Sequence, residues 1–227
     1  MIPLRDSHPT QLRPTVTYTL IGVNALIFFM ELFMGSDLKF FIMIFGFVPS
    51  RFLLQIGEGA WVASIIPLFT SMFLHGGWLH LIGNMWTLYI FGDNVEDTLG
   101  HLWYVIFYLA CGVAGCLAQL LFHPASQIPM VGASGAIAGI MGAYFALFPH
   151  SRILTLVPIL FFVIIEVPAY VFLGLWFLLQ FFAGAFSILG SQARIGVAFW
   201  AHVGGFIAGF LVLRLMMLVR ARSPSQA

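Results

Sequence analysis

Gly132-Ala133-Ser134-Gly135-Ala136-Ile137-Ala138-Gly139-Ile140-Met141-Gly142-Ala143-Tyr144 is the stretch on which the fold turns. It is apolar and made largely of small residues, with Gly135-x-x-x-Gly139 and then Gly142 along it. Lipid tails are as apolar as leucine, so helices in a bilayer associate through small residues that let backbones approach. A second such pattern, Gly205-x-x-x-Gly209, lies near the C-terminus, and the helices carrying the two are expected to be close neighbours. Ser134 stands at the mouth of the first stretch, and His202, in Ala201-His202-Val203-Gly204-Gly205, at the head of the second. A polar side chain inside an apolar span is costly unless it is paired or faces water. A nucleophile and a base are therefore both available on two helices expected to touch.

Composition fixes the setting: 61% of the 227 residues are hydrophobic and only 7% charged, and mean hydropathy is +1.03. A water-soluble chain of this length carries far more charge, so an integral membrane protein is expected. The net charge of +1 offers no basic surface for nucleic acid. Cys111 and Cys116 fall in one apolar stretch and read as small buried residues. Residues 1–13 are polar and the first apolar stretch is long enough to remain as a span, so no cleavable signal is expected.

About 20 apolar residues cross a hydrocarbon core. Spans are expected over 15–33, 78–95, 102–122, 134–149, 168–189 and 197–218, which gives an all-α bundle of six transmembrane helices. Residues 35–77 mix charges with aromatic clusters and read as a partly helical loop on the membrane surface. Pro158, Glu166 and Pro168 interrupt 153–189, so a short connector should precede a single helix there. Arg5, Arg13, Arg152, Arg214, Arg220 and Arg222 outnumber Lys39, Arg51 and Arg194 on the opposite side, which puts both termini in the cytoplasm. The expected organisation is a cytoplasmic segment 1–14, a transmembrane domain 15–219 and a cytoplasmic tail 220–227.

A serine hydroxyl is a weak nucleophile until a base takes its proton, and a neutral imidazole is the usual base. Glu166 and Glu96 are both badly placed for a third member, so a Ser134–His202 dyad is the economical proposal. His80 and Asn84, four apart, share a helical face. With the Ser134 backbone N–H, they are candidates for an oxyanion hole. His75 reads as a loop residue at the interface, and Gln119 and Gln180 as interhelical hydrogen-bonding residues. Asn24, Glu31 and Glu96 read as helix-pairing or helix-end residues. A metal held by His75, His80 and His202 lacks the His-Glu-x-x-His signature, and Ala136 departs from the Gly-x-Ser-x-Gly elbow of soluble hydrolases.

These residues carry a resemblance. Gly-Ala-Ser-Gly at 132–135, His80-x-x-x-Asn84 and Ala201-His202-x-x-Gly205 look like the motifs of the rhomboid family of intramembrane serine proteases. Gly46-Phe47-Val48-Pro49 and the run from Phe69 to Gly77 are similar too, and the likeness extends from the first span to Arg214. It implies a rhomboid-like bundle with a water-filled cavity open to the outer face. It also implies Ser134 as nucleophile, His202 as general base, His80 and Asn84 in the oxyanion hole, and no metal or organic cofactor. The substrates implied are single-span membrane proteins whose helices unwind easily, with the fifth span and the 190–196 loop as gate and lid. Some relatives carry an aromatic residue four positions after the serine. Ala138 stands there, so Phe206 or Tyr144 is expected to support the histidine ring. The rival readings are a catalytically inactive client-binding relative and a transporter; the latter would show repeated halves. A prokaryotic plasma membrane is the expected location.

Overall fold

The structure, a computed structural model, describes residues 1–158, 162–189 and 197–222. The chain is mostly helical. Helix α1 (Thr15–Phe33) begins after Pro14 without a cap of its own. Glu96 supplies one from elsewhere: its carboxylate accepts from the backbone N–H groups of Val16 and Thr17 at 2.9 and 2.8 Å and from the Thr17 hydroxyl at 2.7 Å. An anion at a helix N-terminus satisfies free donors and complements the helix dipole.

Three short helices follow, α2 (Leu38–Phe45), α3 (Pro49–Gly57) and α4 (Trp61–Thr70), so the mixed segment is indeed helical in large part. The Arg51 guanidinium donates to the carbonyls of Met43, Ile44 and Gly46, closing the end of α2. Burial draws the Arg51 pKa down from its usual value. Long helices α5 (Trp78–Leu99) and α6 (His101–Phe122) meet at Gly100, whose φ of +77° makes the tight corner. Next come α7 (Ser134–Leu147), α8 (Ala169–Leu189) and α9 (Phe199–Arg222).

Two expectations are met only in part. Among the described residues, four helices, α1, α6, α8 and α9, are long and apolar enough to cross a membrane, and α4 with α5 makes a fifth candidate bent by 83°. Length and composition thus support four or five of the six expected spans. α5 carries Asp93, Glu96 and Asp97 near its end, and α7 has only 14 residues, about 21 Å of helix. A short helix survives here because protein surrounds it: every residue from Gly135 to Tyr144 is buried.

The second change is a sheet in a chain expected to be all-α. Strands β1 (Ile2–Asp6), β2 (Arg152–Pro158) and β3 (Phe162–Pro168) pair antiparallel in that order. The connector thus carries two paired strands, rich in the Ile and Val that suit a pleated surface, and the N-terminal segment adds an edge strand. Leu156 pairs with Ile2 on one side and Ile164 on the other.

The core centres on the glycine contact between α7 and α9. A Cβ on Gly205 would fall on the carbonyl oxygen of Gly135, one on Gly209 on that of Gly139, and one on Gly142 on that of Phe206. The backbones touch where the two glycine patterns predicted. α6 joins through Gly115, where a Cβ would come within 2.8 Å of the Ala201 carbonyl.

Candidate active site

The segment leading into α7 is held by backbone bonds. Phe47 and Met130 exchange two, at 3.0 and 2.8 Å, and Gly132 N donates to Ser71 O at 2.8 Å. Gly132 has a φ of +121°, and a Cβ there would lie 2.6 Å from His80 Nε2. Only glycine meets both conditions without strain. Ser134 is the first residue of α7, and an early bond of the helix runs from Ile137 N to Ala133 O at 3.0 Å. The N–H groups of Ser134, Gly135 and Ala136 thus precede the helical ladder.

α9 carries His202 to this point. The Ser134 hydroxyl donates to His202 Nε2 at 2.8 Å, while Nδ1 of the same ring faces Gln180 Oε1 of α8 at 2.7 Å. An amide oxygen only accepts, so Nδ1 carries the proton and the Nε2 lone pair points at the serine. Trp176, one turn before Gln180, lies 5.9 Å from the imidazole centroid at 36°. Support for the ring therefore comes from α8. Tyr144, expected to contribute, instead donates its hydroxyl to Asp6 Oδ2 at 2.8 Å. Phe206 packs on Trp176 and Phe177, at 6.2 and 5.0 Å between centroids. Gln180 was expected to make an interhelical hydrogen bond and does so; which residue it meets depends on how α8 leans on α9.

Ser134, His202, His80 and Asn84 line one cavity of ≈ 1040 Å³, whose walls also include Gln119 and Trp200. His80 Nδ1 accepts from Gly76 N at 3.4 Å, leaving Nε2 toward Gly132. Asn84 Nδ2 would lie 3.5 Å from a Cβ on Gly132, so both side chains border the loop before the serine. His75 lies in a turn, as expected, but is buried within the protein, with Nε2 3.1 Å from Asn84 Nδ2 and its ring 5.2 Å from that of His80. The turn of 74–77 folds it inward, which helical spacing does not reveal.

The remaining candidates lie elsewhere. Glu31, buried in α1, accepts from His75 N at 3.3 Å through both carboxylate oxygens. Asn24 donates to Leu20 O at 2.7 Å. Glu166 is exposed on β3, and Cys111 and Cys116 are buried free thiols. The 190–196 loop lies outside the described residues.

A serine bonded to a histidine in a cavity of an apolar helical bundle defines a class, helical membrane proteins with a Ser–His pair inside the bundle. Comparison with known proteins gives the family. Residues 62–219 match the Rhomboid domain. The chain is 31% identical to the rhomboid protease GluP of Bacillus subtilis over 212 residues, which is 92% of this chain and 36% of that protein. It is 30% identical to the mitochondrial Rhomboid protein 1 of Saccharomyces cerevisiae over 211 residues, 90% of this chain and 53% of the relative. RHOMBOID-like protein 4 of Arabidopsis thaliana is 30% identical over 184 residues, 76% of this chain and 40% of the relative. The chain belongs to the rhomboid family, and it is an integral membrane protein. It spans about a third to a half of the length of these relatives.

Proposed function

We propose that the chain is an intramembrane serine endopeptidase that cleaves single-span membrane proteins in or beside their transmembrane helices. The observation that carries this reading is the 2.8 Å bond from Ser134 Oγ to His202 Nε2 inside the cavity.

In this mechanism Ser134 Oγ attacks the scissile carbonyl carbon as its proton passes to His202 Nε2, and the carbonyl π electrons move onto oxygen. The negative charge is met by the Asn84 amide, the His80 imidazole and the Ser134 N–H. One such preorganised donor is worth roughly 3–4 kcal/mol in serine proteases. Collapse of the adduct breaks the C–N bond, and His202 Nε2–H protonates the departing amine. A water molecule, deprotonated by Nε2, then attacks the acyl-enzyme carbonyl; the ester C–O bond breaks as Nε2–H returns its proton to Ser134 Oγ, releasing the acid product and the free enzyme. A helix hides its carbonyls in its own hydrogen bonds, so the substrate must enter as an extended segment. Movement of α8 is the natural gate, because α8 borders the site through Trp176 and Gln180.

The six core helices α1, α5, α6, α7, α8 and α9 would be the spans of a catalytic domain over 15–219, with both termini cytoplasmic. Pairing of β1 with β2 supports one shared end for the N-terminus and the α7–α8 connector. The relatives include bacterial and mitochondrial proteins, so they do not favour the prokaryotic plasma membrane over an organellar one.

A serine-directed fluorophosphonate tests the nucleophile. Wild type should be labelled on Ser134 and His202→Ala should not; an unlabelled wild type, or label on another residue, would overturn the assignment.

A further inference from the structure

Resting on that reading, we infer that His75, anchored by Glu31, is a positioning residue that sets the orientation of the Asn84 amide for the oxyanion. The chain of contacts starts in α1. The buried Glu31 carboxylate receives the His75 backbone N–H at 3.3 Å through both oxygens, which holds the 74–77 turn against the helix. The same turn is also tied by bonds from Leu74 N to Ser71 O at 3.4 Å, from Gly76 N to His80 Nδ1 at 3.4 Å and from Leu81 N to Gly77 O at 3.0 Å. The His75 ring, 3% exposed, then meets Asn84 Nδ2 through Nε2 at 3.1 Å.

An amide nitrogen has two N–H bonds in a fixed plane. The N–H donated to His75 fixes the rotation of that plane, and the second N–H is then directed independently of the substrate. Asn84 lines the cavity beside Gly132 and Ser134, so the free N–H is presented where the oxyanion forms. An asparagine without this partner rotates about its last torsion, and a donor that must reorganise during the reaction loses most of its worth. His75 touches no reacting atom in this scheme. It also accepts the Asn84 N–H, so its own ring proton sits on Nδ1.

The test is cleavage of a single-span substrate in proteoliposomes by wild type, His75→Leu, His75→Gln, Asn84→Ala and the His75→Leu/Asn84→Ala double variant. His75→Leu should lower kcat ~10-fold or more, a part of the 10²–10³ typical of losing an oxyanion donor outright, with KM unchanged. His75→Gln, whose amide oxygen again accepts from Asn84, should recover most of that loss. The double variant should be no slower than Asn84→Ala alone. Additive losses in the double variant, or equal losses in His75→Gln and His75→Leu, would overturn the positioning role. Should His75→Leu not fold, the Gln variant decides alone: kcat near wild type supports the role, and a drop as large as that of Asn84→Ala defeats it. An inactive wild type would instead defeat the protease reading, and this assignment with it.

Discussion

At the scale of single residues, the site depends on atoms that fix one another's direction. Gln180 holds the His202 proton on Nδ1, and a ring free to take the other tautomer would present a donor to Ser134 instead of a lone pair. Gln180→Leu is therefore expected to cut kcat ~10-fold or more, while Gln180→Glu, which still accepts at Nδ1, keeps activity closer to wild type. Cleavage kinetics of the two variants check this. Gly132→Ala should also be strongly impaired, since its Cβ would sit 2.6 Å from His80 Nε2 at a φ unsuited to alanine. The meeting of Ser134 with His202 was legible in sequence because polar residues in apolar spans need partners and the glycine patterns said which helices touch. Gln180 was legible as an interhelical hydrogen-bonding residue but its partner was not, and the contributions of Trp176 and His75 were not. Each depends on a contact with another element, and periodicity reports only the face a residue occupies.

Among the elements, α7 and α9 form the joint that carries the dyad. Gly209 faces the Gly139 carbonyl so closely that any side chain forces the helices apart. Gly209→Val should destabilise by ~1–3 kcal/mol, the usual cost of overpacking, read as a lower midpoint of thermal unfolding in detergent together with loss of cleavage. Gly22→Ala is the matching control; among the described residues nothing lies within 4 Å of a Cβ there, and little change is expected. Helix positions were readable from apolar runs, but two element-level features were not. The shortness of α7 follows from its envelopment by protein, which no local window encodes. The paired strands β2 and β3 were missed because an unbroken apolar run fits a strand as well as a buried helix. Its pairing with β1 arises only when residues distant in sequence meet, as in Ile2 with Leu156.

Over the whole molecule, the N-terminal segment ties together the end remote from Ser134. Beyond the β1–β2 pairing, the Gln11 and Leu12 N–H groups donate to Asp97 at 3.0 and 2.8 Å, and Asn94 Nδ2 donates to His8 O at 3.0 Å. Asp6 is one titratable group there: burial raises its pKa above the ordinary carboxylate value, opposed by the hydrogen bond from Tyr144. A carboxyl with a raised folded-state pKa favours the docked strand when protonated, so its contribution is complete below the ordinary value and is lost as pH rises through the raised one. Hydrogen exchange over residues 2–6 should accordingly show greater docking free energy as pH falls through that window, and Asp6→Asn should reduce the dependence. The central claim concerns the opposite end, where the cavity opens above α7. Its most direct measurement is cleavage of a single-span substrate in proteoliposomes by wild type, Ser134→Ala and His202→Ala. The account predicts cleavage by wild type alone; cleavage that persists in Ser134→Ala would contradict it.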